Sequence, residues 1–357
     1  MEAVRQYTRG MRSFEINGKT FTDESLPYVI AEVGHNHQGN LETALKMIEA
    51  AAKSGANAVK LQKRANKKLY SSEAYSAPYV SENAYGATYG EHREALEFGH
   101  EEYVACINRA RESNIDFFAT AFDFESADFL MELNVPAFKV ASGDLKSIQL
   151  IKYIAKFGKP LILSTGGGKL DDIDLAVDTV LSENSNLALL QCTAGYPPEY
   201  NELNLNVIRT FRERFPTVTI GYSGHDSGIS MALVSYILGA RVIEKHFTLN
   251  RASKGTDHAF SLEPLGMSKM IRDLKRAQEA LGDGVKRPYP SEENPIKKMG
   301  KSLYATRDIR IGEKLQEGMF DFRSPAIGIA PSQLENFIDR EFSKSVSAGT
   351  VISESDF

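Results

Sequence analysis

The feature that most constrains this chain is a repeated unit: a short apolar run, then polar residues or glycine, then in most cases a helical pattern. The first run is Tyr28–Val33. It leads through Gly39 and Asn40 into Leu41–Lys53, where Leu41, Leu45, Ile48 and Ala52 share one helical face. Asn40 suits an N-cap and Gly55 a C-terminal stop. Seven further runs follow, at Ala58–Gln62, Asp116–Thr120, Ala137–Val140, Leu161–Ser164, Leu187–Gln191, Thr219–Tyr222 and Val242–Phe247. Helical segments are expected at Glu101–Ser113, Ser126–Leu133, Ile148–Lys156, Lys169–Ser182, Leu205–Phe215 and Ile229–Leu238. Parallel strands cannot be joined by tight turns and need a crossover, so alternation of strand and helix predicts a parallel sheet. Eight such units in about 250 residues predict closure into a (β/α)8 TIM barrel. An open doubly wound sheet is the alternative, but no strand leads into a clear dinucleotide-binding fingerprint.

The 357 residues allow one barrel and a smaller domain. The expected layout is a catalytic barrel over residues 1–285, a linker over 286–299 carrying Pro288, Pro290 and Pro295, and a small domain of short strands and turns over 300–357. Residues 64–100 form a tyrosine-rich connection inside the barrel, long enough to suggest a functional loop. A net charge of −5 gives no electrostatic footprint for nucleic acid. No apolar run approaches the roughly 18 residues of a membrane span. The start of the chain is polar, with Arg5, Arg9 and Arg12, and lacks a signal-peptide pattern. Two distant cysteines, Cys106 and Cys192, suggest no disulfide framework. A soluble cytoplasmic enzyme with no nucleic-acid or membrane partner is expected.

Barrel enzymes gather their functional groups at the carboxyl ends of the strands. Here those ends carry Glu32; Lys60 and Gln62; Thr120; Lys139, with Ser142 beyond; Ser164 before Thr165 and three glycines; Cys192, with Tyr196 beyond; Ser223 and His225; and Glu244 with His246. Residues two apart on a strand share a face, so Lys60 joins Gln62 and Glu244 joins His246. Inward charges are costly unless paired or bound to ligand. A purely structural ion network explains any one of them, but not all eight strand ends together. His225 and His246, on neighbouring strands with Glu244 and Asp257 near in sequence, are the candidate metal ligands; oxygen-rich company favours Mn²⁺ or Mg²⁺. His35 and His37 are rival ligands, and His92, His100 and His258 weaker ones. Lys60, Lys139, Ser142, Ser164 and Ser223 suit an anion, phosphate or carboxylate, with close backbone approach at the glycines.

Several of these segments together resemble the sialic acid (nonulosonate) synthases. They are Glu32-Val-Gly-His-Asn-His-Gln-Gly39, Lys60-Leu-Gln62, Phe138-Lys-Val-Ala-Ser-Gly-Asp144, Leu163-Ser-Thr-Gly166, Gln191-Cys-Thr193 with Tyr196-Pro197, Gly221-Tyr-Ser-Gly-His-Asp226, Ile243-Glu-Lys-His-Phe-Thr248, Lys254-Gly-Thr-Asp-His258 and Ser261-Leu-Glu-Pro264. The tail, Ser302-Leu-Tyr-Ala-Thr-Arg-Asp-Ile-Arg-Ile-Gly312, resembles the antifreeze-like (SAF) domain that closes this family. The resemblance runs from about residue 14 onward. It implies condensation of phosphoenolpyruvate (PEP) with the open-chain aldehyde of an N-acylmannosamine-type sugar, giving a nine-carbon 2-keto acid and phosphate. It further implies that Glu32 or Glu244 positions or deprotonates water and that Lys60 and Lys139 hold PEP with the serines. Gln62, Thr120, Tyr196 and Asp257 are expected to contact substrate. Arg323, before Ser324-Pro325, is expected to reach the sugar's acyl group from the partner in a domain-swapped homodimer. Ala194 stands where some relatives have a polar residue able to reach the phosphate, so the resemblance leaves that one hydrogen bond open. Thr88-Tyr-Gly-Glu-His-Arg-Glu94 looks more like relatives that use a 6-phosphorylated sugar, with His92 and Arg93 as phosphate contacts or, equally, a solvated helix start. A free sugar, or a diacetamido-trideoxy sugar leading to a legionaminic-type acid, stays open, as does a non-catalytic sugar-binding barrel, against which the full set of polar strand ends argues.

Overall fold

The computed structural model describes residues 12–357; Arg5 and Arg9 lie outside the described residues. It opens with a hairpin that sequence reasoning did not anticipate, β1 (Ser13–Ile16) and β2 (Lys19–Thr22). Asn17 and Gly18 turn it, both at positive φ (51° and 72°), as a two-residue turn between right-twisted strands requires. Glu15 and Asn17 hydrogen-bond Asn186 and Asp116, which stand at the starts of two barrel strands. The hairpin therefore lies at the amino ends of the strands, opposite the end where barrel chemistry resides.

Eight parallel strands close the barrel: β3 (Tyr28–Gly34), β4 (Ala58–Lys63), β5 (Asp116–Ala121), β6 (Phe138–Val140), β7 (Leu161–Ser164), β8 (Leu187–Cys192), β9 (Thr219–Gly224) and β10 (Val242–His246). Each pairs with the next, and β10 returns to β3. All eight expected strands form, with ends shifted by a residue or two. The connections carry α1 (Leu41–Lys53), α2 (Asn66–Leu69), α3 (Ser72–Ser76), α4 (Tyr89–Ala95), α5 (His100–Glu112), α6 (Phe124–Glu132), α7 (Ile148–Ala155), α8 (Leu170–Leu181), α9 (Val207–Arg214), α10 (Ser230–Ile237) and α11 (Pro264–Leu281). Asn40 caps α1 as expected, its side chain accepting from the Thr43 N–H at 2.8 Å. The tyrosine-rich connection folds into the short helices α2–α4 rather than staying irregular, with Ser71 and Thr88 capping α3 and α4.

Register fixes which side chains face the axis. Glu32 stands opposite Lys60, Gln62 opposite Thr120, Thr120 opposite Lys139, Cys192 opposite Ser223, Ser223 opposite Glu244, and His246 opposite Glu32. Beneath this polar ring the same faces carry Ile30, Phe118, Ile162, Leu190 and Val242, all buried. Gly221 is inward too, and a Cβ there would lie 2.3 Å from the Leu190 side chain, so neighbours already fill its space. Apolar layers thus hold the barrel shut and lift the polar layer to its open end.

The chain divides into two compact units, to Leu281 and from Gly282. The second has its own core of Leu303, Ile309, Leu315, Ile329, Phe337, Phe342 and Ile352. It contains the antiparallel pair β11 (Ser302–Ala305) and β12 (Phe320–Arg323). The proline-rich stretch read as linker contains a helix, α12 (Glu293–Met299); Pro295 falls in its first turn, where a missing N–H costs nothing. Among the described residues no helix is long and apolar enough to cross a membrane.

Candidate active site

A cavity of about 670 Å³ opens at the carboxyl ends of the strands. Glu32, Lys60, Gln62, Thr120, Lys139, Ser142, Ser164, Tyr196, Ser223, His225, Glu244, His246 and Asp257 all line it, although they come from every strand or the loop beyond it. Arg323 belongs to the other unit, on β12, where its guanidinium donates to Asp321 at 2.6 Å.

One side of the cavity is an ion network. Lys60, 2% exposed, reaches Glu32 at 2.6 Å, the Thr120 hydroxyl at 2.7 Å and Glu244 at 3.6 Å. Gln62 donates to the other Glu32 oxygen at 2.8 Å. Gly34 permits that contact: its φ is +53°, and a Cβ would stand 3.1 Å from both groups. Burial pushes Glu32 up to about 7, despite the opposing pull of Lys60. Burial also acts on Glu244, but there Lys139 and Lys60 outweigh it and hold the carboxyl below its ordinary range. Two carboxyls in one cavity are thus driven apart, one able to carry a proton near neutrality and one kept ionised.

Lys139 differs from Lys60. Its ammonium, 2% exposed, donates to Ser164 Oγ at 2.6 Å and to the Val140 carbonyl at 3.0 Å. Among the described residues no carboxylate lies within ion-pair distance of it. Burial lowers its affinity for its proton. A buried ammonium with only neutral partners is costly unless an anion joins it. Ser142 lines the same cavity, its oxygen accepting from the Gly166 N–H at 2.9 Å.

Across the cavity His225 and His246 face each other, ring centres 5.3 Å apart, with Phe260 packed against both. His225 Nδ1 contacts the Thr193 carbonyl at 2.9 Å, so Nδ1 carries the proton and Nε2 the lone pair. His246 Nδ1 is buried without a hydrogen-bond partner, 3.6 Å from Asp257. Burial, then the neighbouring His246, lowers His225 to about 4, so the ring is neutral at physiological pH. Two neutral imidazoles beside carboxylates fit a divalent cation whose remaining positions go to substrate and water. Among the described residues no three His, Cys, Asp or Glu side chains converge as a fuller ligand set. The rival histidines are engaged elsewhere: His37 stacks on Phe98 and accepts from the Gly39 N–H, and His258 bonds Thr248. His35 lines the cavity but lies between two guanidiniums, a poor setting for a cation.

Residues 47–286 match the NeuB family model, and residues 300–357 the SAF domain model. The chain belongs to the NeuB family. It is 37% identical, over 92% of its length and 91% of the relative's, to N-acetylneuraminate-9-phosphate synthase of Homo sapiens. It is 38% identical, over 91% of its length and 98% of the relative's, to N,N'-diacetyllegionaminic acid synthase of Campylobacter jejuni. Among solved structures, the sialic acid synthetase of Leptospira borgpetersenii is similar at 32% identity and a TM-score of 0.70, covering 80% of this chain and 95% of that one.

Other cavity residues of this NeuB chain escaped the sequence reading: Arg64, Phe122, Tyr79, Tyr85, Asn83 and Thr256 among them. Arg64 follows Lys60 and Gln62 with the same spacing of two, so strand periodicity carried one residue further would have found it. The tyrosines come from the long connection, which folds back over the barrel mouth and leaves no periodic signal.

Proposed function

We propose that this chain is a nonulosonate synthase, condensing PEP with an N-acylmannosamine-type aldose to give a nine-carbon 2-keto acid and phosphate. The observation that carries this reading is the division of one cavity into an anion side, where Lys139 has no carboxylate partner, and a two-imidazole side. The similar relatives named above make different sugar acids but share this product class.

Lys139 and Ser164, with Ser142, Lys60, Thr120 and Ser223, hold the carboxylate and phosphate of PEP through charge-assisted hydrogen bonds. This fixes carbon 3 of PEP toward the imidazole side, where the aldehyde is placed. His225 and His246 would hold a divalent cation, Mn²⁺ or Mg²⁺, which would supply Lewis-acid polarisation of the aldehyde oxygen. The carbon 2–carbon 3 π electrons of PEP form the new bond to the aldehyde carbon, whose oxygen takes up a proton and becomes a hydroxyl, balanced by the proton that water releases on adding at carbon 2. Water adds at carbon 2, and phosphate leaves with the electrons of its carbon–oxygen bond. Glu32, poised near 7, takes the proton of that water, while Glu244 stays ionised between the two lysines. Tyr196 and Asp257 lie beside the imidazoles and contact the sugar. Arg323, from the SAF domain of the partner in a domain-swapped homodimer, binds the sugar's acyl group. A diacetamido-trideoxy hexose is the second acceptor class, favoured by the likeness to the Campylobacter relative.

The test is phosphate release from PEP by purified protein with Mn²⁺. Release is expected only when a mannosamine-type sugar is present. No release with the free sugar, its 6-phosphate or the diacetamido-trideoxy sugar sinks the proposal.

A further inference from the structure

We propose that Lys245, Asp226 and Tyr222 form a clamp on the outer wall of the barrel that positions His225 and His246 as a pair, and so sets how tightly they hold a divalent cation. The inference rests on the metal reading above and assigns positioning residues to it.

Period two places Lys245 on the outward face of β10, between Glu244 and His246, and Tyr222 on the outward face of β9, before Ser223. Neither they nor Asp226 line the cavity, yet all three side chains are buried. Asp226 stands two residues past the end of β9 and turns its side chain back along the wall. Lys245 Nζ donates to Asp226 Oδ1 at 2.9 Å and to the Asp226 carbonyl at 2.5 Å. The Tyr222 hydroxyl donates to the same Oδ1 at 2.7 Å. Gly224 makes room for this meeting. A Cβ there would stand 2.6 Å from Asp226 Oδ1 and 2.5 Å from the Tyr222 ring, closer than packed atoms approach.

The order of residues gives the clamp its reach. Asp226 directly follows His225, and Lys245 directly precedes His246. One ion pair therefore ties the chain beyond one imidazole to the chain before the other. The paired register of β9 and β10 ends at Gly224 and Lys245, so the clamp takes over where the ladder stops. The Thr193 carbonyl orients the His225 ring from inside the cavity, at 2.9 Å, and the clamp holds its backbone from outside.

A buried ion pair is a poor way to gain stability alone. The cost of removing two charges from water roughly cancels their attraction, and apolar side chains of similar volume would fill the wall as well. Here two donors converge on one oxygen, while Asp226 Oδ2 is buried with no hydrogen-bond partner among the described residues. What charge-assisted hydrogen bonds add, and apolar contacts do not, is direction. Two imidazoles on separate strands need that direction, because a shared cation tolerates displacements of only about 0.5 Å. The anion side, at Lys139 and Ser164 on β6 and β7, takes no part in the clamp.

The experiment measures three quantities on the full chain. They are Mn²⁺ affinity from the free-ion electron paramagnetic resonance signal, PEP binding by calorimetry with divalent metal chelated, and the urea midpoint. Tyr222→Phe removes one donor and should weaken Mn²⁺ binding by about 3–10-fold, with PEP binding unchanged. The combined variant Tyr222→Phe, Asp226→Leu, Lys245→Met replaces the clamp by apolar side chains. Its urea midpoint should lie above that of Lys245→Met alone, while its Mn²⁺ affinity stays about 10–100-fold below wild type. Wild-type Mn²⁺ affinity in these variants overturns the clamp and leaves the metal reading standing. A loss of Mn²⁺ binding matched by an equal loss of PEP binding also overturns it, because that marks general loosening. Should the combined variant fail to fold, Tyr222→Phe decides by the same two affinities. Absence of Mn²⁺ binding by wild type refutes the metal reading itself, and the clamp with it.

Discussion

Replacing Glu32 by Gln tests the proton-carrying role through stability and rate together. Glu32 is 1% exposed, and burial raises its carboxyl from 4.5 to about 7. Between those two pH values the folded protein holds a proton that the unfolded chain has released. Stability from this group is therefore fully present below about 4.5 and is lost as pH rises through about 7. The span corresponds to about 3 kcal/mol. Gln copies the protonated form and cannot titrate. The melting temperature of Glu32→Gln relative to wild type should climb by about 6–12 °C across that window, at roughly 2–4 °C per kcal/mol for a unit of this size. Calorimetric scans without divalent metal measure it. A difference that stays flat across the window refutes the raised carboxyl. In the rate assay, kcat/KM for wild type should rise with pH through the same region as Glu32 becomes able to accept a proton. The variant should lose that limb and about 10²–10⁴ in rate. A variant that keeps the limb assigns the proton to another group.

Lys139→Met removes the buried ammonium from Ser164 and should raise the KM for PEP by about 10–100-fold; an unchanged KM in a phosphate-release assay removes Lys139 from the anion side. His225→Ala should abolish Mn²⁺ binding, read from the free-ion signal in electron paramagnetic resonance titrations, and binding at wild-type affinity would show that the imidazole pair is not the metal site. Lys245→Met should destabilise the barrel by about 3–5 kcal/mol in urea unfolding, because Asp226, 1% exposed, keeps among the described residues only the Tyr222 hydroxyl as a side-chain partner. A loss under 1 kcal/mol would show that water reaches Asp226. Arg323→Met should weaken use of the sugar more than use of PEP, and equal effects count against its acting on the acyl group.

The fold was legible where one local signal sufficed. Leu161–Ser164 is a bare apolar run ending at a polar residue and glycines, and α1 has both a cap and a single apolar face, so each appears with the bounds its sequence predicts. The hairpin went unread because its strands are four residues each and alternate weakly, although Asn17-Gly18 marks the turn. Helix α11 begins at Pro264, beyond the last predicted strand, where no next strand followed to call attention to it.

The site was legible for a different reason. A charge on an apolar strand contradicts its surroundings, and period two assigns it a side, so Glu32, Lys60, Lys139 and Glu244 could be named together. What sequence could not supply is which buried cations are already partnered. Lys60 meets Glu32, and Lys245, on the outward face of β10, meets Asp226 at 2.9 Å. Lys139 and Arg64 meet no carboxylate among the described residues. In the sequence all four are cations on or just past apolar strands, and only register and barrel closure separate them. His35, Arg64 and Arg93 show the limit most clearly. They come from the turn after β3, the end of β4 and a helix of the long connection, and they meet only because β3 pairs with β4 and that connection folds back over the mouth. That Lys139 is left without a carboxylate among the described residues is therefore a property of register and barrel closure, which motif reading does not reach.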